Sequence, residues 1–190
     1  MTSVTELVPR SRPNGWWGML IFVAAEATLF GCLLGSWFYL RLLSVHWPQG
    51  GIEPKDPVVP LSLAAALAST SLLMQLATSA GLRGRAEAAA APLVLALVVQ
   101  AGYFAYAVHD FRADLVTFSP QDNAYASIYY TLLGADHAHV ALGLLLNAWV
   151  LLRLLGGLTP YRLTGLRAST LYWHVVNAIT VLVTVTIVSA

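Results

Sequence analysis

The side chains best suited to chemistry in this chain are ionisable groups that stand inside long apolar stretches. Glu26 lies about ten residues into one such stretch, and Asp136 lies in another with His137 and His139 beside it. An ionisable group at membrane depth costs at least ~2.5–3.5 kcal/mol on insertion scales, so each position is a candidate functional site. Two chemistries are open to these groups. One is proton transfer between a carboxyl group and an imidazole, and the other is binding of a transition metal.

The spacing of these residues argues against a metal centre. Helical zinc sites use two histidines four residues apart, and that pattern is missing here. Asp136 and His139 share a helix face, whereas His137 is turned by about 100° from Asp136. A haem would need two facing histidines at one depth. We expect His139 near the middle of its span and His174 only about four residues inside the next. We therefore predict no bound metal, and we expect His174 and Asn177 to make hydrogen bonds between helices.

The composition places these groups in a membrane protein. Hydrophobic residues make up 58% of the 190, and charged residues make up 10%, whereas soluble domains carry about 25% charged residues. The net charge of +1 excludes a nucleic-acid binder, which would show a basic surplus. The low charge also excludes a soluble enzyme and a disordered chain. Cys32 is the single cysteine, so a disulfide scaffold and a cysteine zinc site are excluded.

Five apolar stretches are long enough to cross the ~30 Å of hydrocarbon in a bilayer. They cover residues 16–43, 58–82, 92–108, 125–155 and 170–190. Lipid offers no hydrogen-bond partner to backbone groups, so each stretch must be a helix. The sequence thus predicts an all-α, polytopic bundle of five transmembrane helices. We expect an N-terminal tail at 1–14 and a membrane domain at 15–190.

The basic residues predict how the bundle is oriented. With a cytoplasmic N-terminus, the inner side carries seven basic residues and the outer side carries three. The inner set is Arg10, Arg12, Arg83, Arg85, Arg153, Arg162 and Arg167, and the outer set is Arg41, Lys55 and Arg112. The positive-inside rule therefore favours a cytoplasmic N-terminus and an outer C-terminus. Anionic lipid attracts arginines at the membrane surface, so candidates for head-group contact are Arg83, Arg85, Arg153, Arg162 and Arg167.

Small residues in the first span could allow another helix to approach closely. Gly31 and Gly35 form a G-x-x-x-G pattern, which places two glycines on one helix face. Packing within the five-helix bundle is the interpretation that we favour for this pair. Docking of another membrane subunit is the alternative.

Four short motifs follow one another along the chain in an order typical of one family. They are Gly18-Met19-Leu20-Ile21-Phe22 with Glu26 and Phe30; Trp47-Pro48 with Gly51-Ile52; Gly134 with His139-Val140; and Tyr172-Trp173-His174-Val175-Val176. Their order and spacing resemble subunit III of the haem–copper oxidases, in its short five-helix form. The resemblance covers nearly the whole chain from Gly15 onward.

The resemblance implies a protein without redox centres of its own. In that family haem and copper lie on subunits I and II, and subunit III flanks subunit I in the membrane. The complex oxidises cytochrome c or quinol, reduces oxygen to water and translocates protons. Subunit III binds phospholipid in a cleft, supports proton uptake and prolongs the life of the active centre. A bacterial inner membrane is the location implied.

The same resemblance assigns a partner to Glu26. Its matching acid faces the lipid cleft beside a histidine, which corresponds to His139 here. We expect either a neutral carboxyl group that donates to a neutral imidazole or an ion pair, and burial favours the neutral form. Asp136 would then make the next hydrogen bond on the same face.

Several positions depart from the family pattern. Ala25 replaces a serine, Asp136 replaces a histidine, Asn177 replaces an acid and His109 replaces a glutamate. These changes indicate a divergent branch, and they leave open an accessory subunit associated with nitric oxide reductase. A small proton-coupled transporter, with Glu26 and Asp136 as a relay, is less favoured because inverted repeats and broken helices are missing.

Overall fold

The computed structural model describes residues 13–189, and five helices make up most of that part. They are α1 (Asn14–Leu43), α2 (Val58–Leu82), α3 (Ala86–Thr117), α4 (Ala124–Leu154) and α5 (Pro160–Val188). All five are long and apolar enough to cross a membrane. The all-α, five-helix class is therefore confirmed. Residues 1–12 of the expected tail, with Arg10 and Arg12, lie outside the described residues, as does Ala190.

Helix α3 is longer at both ends than the expected range of 92–108. The alanine run that precedes Pro92 is helical, because alanine has the highest helix propensity. At the other end, Asp110 and Asp114 lie beyond residue 108, where the predicted span ends. They belong to the last turns of α3, where Lys55 binds both carboxylates. An ionic partner from a distant loop thus allows the helix to extend through acidic sequence.

Helix α5 begins at Pro160, ten residues before the expected start at 170. The Thr159 side chain caps it by accepting a hydrogen bond of 3.2 Å from the Arg162 backbone N–H. Proline is favoured in the first helical turn, where its missing N–H costs nothing. The expectation for His174 was consequently wrong. It lies fourteen residues inside α5 rather than four.

Helices α2, α3, α4 and α5 form a ring in which each helix packs against two neighbours of the ring. Helix α1 lies outside this ring, against α4 and α5. Gly31 and Gly35 are exposed on α1, and a methyl group added to either would meet no atom within 4 Å. The interpretation that these glycines serve packing within the bundle is therefore wrong. Helix α1 packs against α4 and α5, and the side that carries these glycines is left exposed.

A network of neutral polar side chains joins the helices of the ring. Asn147 on α4 donates to Gln100 Oε1 on α3 at 2.7 Å, and its own Oδ1 accepts from Ser169 on α5 at 2.6 Å. Gln100 in turn donates to Thr70 on α2 at 3.2 Å. These four side chains are at most 2% exposed. Interhelical hydrogen bonds of this kind are one way that helices associate where lipid removes the hydrophobic driving force.

Candidate functional site

Glu26 and His139 form a polar contact between α1 and α4. His139 Nε2 lies 2.5 Å from Glu26 Oε2, and the two side chains are 15% and 18% exposed. The expected pairing of these residues is therefore confirmed as a contact. Each residue stands more than ten positions inside its helix, so the contact joins the middle of α1 to the middle of α4.

The second ring nitrogen of His139 fixes where the proton lies. Nδ1 stands 2.6 Å from the Ala135 carbonyl oxygen, and a carbonyl oxygen can only accept. Nδ1 must therefore carry a hydrogen. In the neutral ring Nε2 then accepts from a protonated Glu26, and in the imidazolium form Nε2 donates to the Glu26 carboxylate. The neutral tautomer protonated only at Nε2 is excluded, so the pair shares one proton between its two members.

Two aromatic side chains hold His139 in place. The Phe30 ring of α1 meets the imidazole edge to face, with ring centres 5.2 Å apart. Tyr172 of α5 donates its hydroxyl to the His139 backbone carbonyl at 2.8 Å. Phe30 and Tyr172 are each no more than 2% exposed. Sequence reasoning placed both residues in motifs but gave neither this role, because a tyrosine that binds a helix carbonyl leaves no spacing signal.

Asp136 does not extend the pair as expected. Its Oδ1 accepts from Thr180 of α5 at 2.7 Å, and the side chain is 1% exposed. The Nδ1 hydrogen of His139 is directed to Ala135 instead. Residues three apart in a helix differ in direction by about 60°. That difference is enough to turn Asp136 toward α5 while His139 faces α1.

Asn177 and His174 have different outcomes. Asn177 donates to Ser71 of α2 at 2.8 Å and to Thr70 at 3.3 Å, so the expected interhelical hydrogen bond is present. Half-buried His174 makes no hydrogen bond to any residue in the described range 13–189. The same offset of about 60° between residues three apart turns His174 away from the face that carries Asn177.

Metal-binding side chains do not gather in the part of the chain that the structure describes. No three of its His, Cys, Asp and Glu residues lie close enough together to hold an ion. The absence of bound metal stays a prediction about the purified protein.

The five arginines named above lie at one end of the bundle. Arg83 and Arg85 are exposed in the turn between α2 and α3, and Arg153 near the end of α4 packs over the Trp149 ring at 5.3 Å. Half-buried Arg162 and Arg167 stand in the first turns of α5. Arg162 donates to the Gly157 carbonyl at 2.8 Å and to that of Gly156. Some of the hydrogen-bond donors of its guanidinium group are thus already bonded to the backbone of this chain.

An ionic cluster at the opposite end was missed by sequence reasoning. Lys55 binds Asp110 and lies 2.8 Å from Asp114, which also accepts from the Tyr129 hydroxyl at 2.5 Å. Burial of the amine alone would lower the pKa of Lys55, but the two carboxylates outweigh it and raise that pKa. A signal existed in the sequence. Two acids four residues apart face one side of a helix, and Lys55 is the only lysine.

The fold and the site together define a multi-pass membrane protein whose buried polar groups join its helices. The sequence profile of the family described as cytochrome c oxidase subunit III matches residues 13–189. The chain therefore belongs to the cytochrome c oxidase subunit III family.

Individual members of the family show how far the likeness extends. Cytochrome c oxidase subunit 3 of Gallus gallus is 28% identical over 86% of this chain, and that of Pisaster ochraceus is 30% identical over 86%. The Rhizopus stolonifer protein of the same name is 28% identical over 85%. The matches cover 64%, 65% and 59% of these three relatives, so the chain spans less than two thirds of their length.

Proposed function

We propose that this chain is the non-redox subunit III of a respiratory haem–copper terminal oxidase in a bacterial inner membrane. The observation that carries the proposal is the family match over residues 13–189. Subunit I, and with it subunit II, would bind the haem and copper, reduce oxygen to water and translocate protons. The chain itself would support proton uptake and keep subunit I stable.

The pair of Glu26 and His139 is the proposed working element of this support. It holds a single shared proton between α1 and α4, and both side chains keep some exposure, 18% and 15%. A contact with these properties couples the peripheral helix to the ring and stands where a lipid cleft would open. We assign it a positioning role beside that cleft and do not assign it a step in oxygen reduction.

The face of α1 that points away from the ring is the proposed contact with a partner subunit. Gly31 and Gly35 are exposed there, with open space around both. Small residues permit the backbones of two helices to approach closely in a membrane. We propose that a helix of subunit I covers this face.

The arginine end of the bundle is proposed to lie in the cytoplasm and to contact phospholipid head groups. Arg83, Arg85 and Arg153 are exposed at that end, and each basic group near an anionic surface contributes about 1 kcal/mol. The division into a tail at 1–14 and a membrane domain at 15–190 belongs to the same proposal.

An accessory subunit associated with nitric oxide reductase is the second candidate. The observation that favours it is the loss of family polar residues at Ala25, His109 and Asn177, together with Asp136 bound to Thr180. A proton-relay transporter has less support. Glu26 and Asp136 bond to different helices, and no hydrogen bond links them within residues 13–189.

Purification of the tagged chain from its native membranes tests the proposal. We expect haem-bearing partner subunits to accompany it, a haem optical spectrum in the complex, and consumption of oxygen. Consumption of nitric oxide without oxygen reduction would select the second candidate. Recovery of the chain with no haem protein would contradict both.

A further inference from the structure

A cavity of about 300 Å³ lies within the ring of α2 to α5, near the end that carries Lys55. All four helices contribute to its wall, among them Leu63, Leu133 and Ile187. The pair of Glu26 and His139 does not line it. Ligand pockets in proteins begin at about this volume and combine apolar walls with a few polar groups.

The polar groups at the mouth of the cavity are already paired. Lys55 binds Asp110 and Asp114, Asp56 accepts from the Val58 N–H at 2.9 Å, and Tyr129 donates to Asp114. Each of these polar groups at the mouth therefore already has a partner within the chain. A charged ligand would have to displace one of these contacts before it gained a partner of its own.

The polar groups deeper in the cavity have no such partners. Tyr103, His137 and Thr184 line it, and none of their side chains makes a hydrogen bond within the described residues. Tyr103 lies seven residues from Asp110 along α3, which places it about 10 Å further into the bundle. A half-buried polar group without a partner loses free energy, so these groups favour a ligand that hydrogen bonds at depth.

The walls between mouth and floor favour a planar ring. Tyr103, Tyr106, Phe111 and Tyr129 all line the cavity. The Phe111 ring meets the His137 imidazole edge to face at 5.4 Å, which holds the imidazole against the wall. Aromatic side chains pack best against flat rings, offset or edge to face. An acyl chain would fill the same volume but would leave Tyr103 and His137 unpaired.

We propose that this cavity binds a neutral aromatic molecule that carries a hydroxyl group. Its ring would lie between the aromatic walls, and its hydroxyl group would form hydrogen bonds with Tyr103 and His137. The hydroxyl can donate to the imidazole and accept from the tyrosine, since it does both. This assignment rests on the cavity alone and does not depend on the proposed role in an oxidase.

Photolabelling tests the proposal on the full chain, purified with any subunits that accompany it and placed in lipid nanodiscs. The probe is 4-hydroxybenzophenone, and benzophenone without the hydroxyl group is the matched control compound. We expect saturable labelling by the hydroxylated probe at cavity-wall residues such as Leu63 and Leu133. Tyr103→Phe and His137→Phe should each raise the half-saturating concentration about three- to tenfold, the value of one hydrogen bond.

Controls separate a specific site from general partition into the bilayer. Tyr39→Phe, at an exposed tyrosine outside the cavity, should leave labelling unchanged. Benzophenone should label the cavity more weakly and should not respond to the variants. Equal, unsaturable labelling by both probes would mean that lipid chains or water fill the cavity, and the proposal would be overturned. Tyr103→Phe removes only an oxygen atom, so it decides the matter even if His137→Phe fails to fold.

Discussion

At the scale of residues, the proton on His139 Nδ1 determines what its contact with Glu26 can do. Because Nδ1 is bound to the Ala135 carbonyl, His139 offers Nε2 alone to Glu26. A neutral pair and an ion pair then differ only in which atom holds the shared proton. Burial disfavours two charges unless further hydrogen bonds satisfy them. No other hydrogen bond to the Glu26 carboxyl group is present in the described residues, which favours the neutral form.

Substitution of Glu26 tests this assignment. In Glu26→Gln the amide still donates to Nε2, so we expect assembly and most turnover to be retained. Glu26→Ala leaves Nε2 without a partner, which costs about 1–3 kcal/mol and should shorten the active lifetime of the complex. Time courses of turnover for both variants provide the measurement. Immediate loss of turnover in an intact Glu26→Gln complex would contradict the positioning role and show that Glu26 transfers a proton.

Lys55 gives a pH dependence of stability. Its pKa is raised in the folded chain by Asp110 and Asp114, against the opposing effect of burial. The stabilisation is therefore fully present below the unfolded value of about 10.4 and is lost as pH rises through the higher folded value. We expect Lys55→Met to lower the free energy of unfolding by about 1–2 kcal/mol at pH 8. This value lies between the contributions typical of exposed and of buried ion pairs.

Thermal unfolding from pH 8 to pH 12 measures this effect. The difference between the native chain and Lys55→Met should shrink above about pH 10.5. Lys55→Arg should keep its stability to higher pH, because a guanidinium group stays charged there. Parallel pH profiles for the native chain and Lys55→Met would show that the amine contributes nothing.

At the scale of elements, the contact of α4 with α5 depends on one glycine. A methyl group at Gly143 would lie 2.6 Å from Trp173 Cζ2 and 3.0 Å from Tyr172 Cε1. Both aromatic side chains are no more than 1% exposed, so they have little room to move. The glycine therefore sets the distance between the two helices. The same packing holds Tyr172 on the backbone of His139.

Gly143→Ala should consequently destabilise the fold by about 1–3 kcal/mol, the usual cost of overpacking. Gly134→Ala in the same helix is the matched control, since an added methyl group there meets no atom within 4 Å. Its higher helix propensity should leave stability unchanged or raise it by up to about 1 kcal/mol. Thermal unfolding in detergent distinguishes the two variants. Equal stability of both would show that α4 and α5 can move apart without cost.

At the scale of the whole molecule, the basic residues divide between the two ends of the bundle. The positive-inside rule predicts that the end with Arg83 and Arg85 faces the cytoplasm and that the end with Lys55 lies outside. Glu53 and Arg85 are both exposed, one at each end. They offer a matched pair of positions for determining the orientation in the membrane.

Cysteine labelling on intact cells measures that orientation. In a Cys32→Ser background, a membrane-impermeant maleimide should label Glu53→Cys at once. Arg85→Cys should react only after the membrane is opened. Labelling of Arg85→Cys from outside, with Glu53→Cys protected, would show that the chain has the opposite orientation.

The class of fold could be predicted without any knowledge of the tertiary structure. Lipid leaves helices as the solution for five separate apolar stretches, so composition and length gave five helices without any tertiary information. The motif resemblance added the contact of Glu26 with His139. Helix ends were predicted less well. The early start of α5 depends on the Thr159 cap, a short signal within a stretch that otherwise resembles a loop.

The partners of the polar side chains could be identified only in the folded chain. The bond of Asp136 to Thr180, the binding of Lys55 to two acids of α3 and the open space around Gly31 each depend on how neighbouring helices are rotated and packed. A rotation of about 60° exchanges one neighbour for another, and the spacing of residues along a single helix does not contain that angle. The cavity lined by Tyr103 and His137 also depends on how the helices pack, because four helices from separate parts of the chain enclose it.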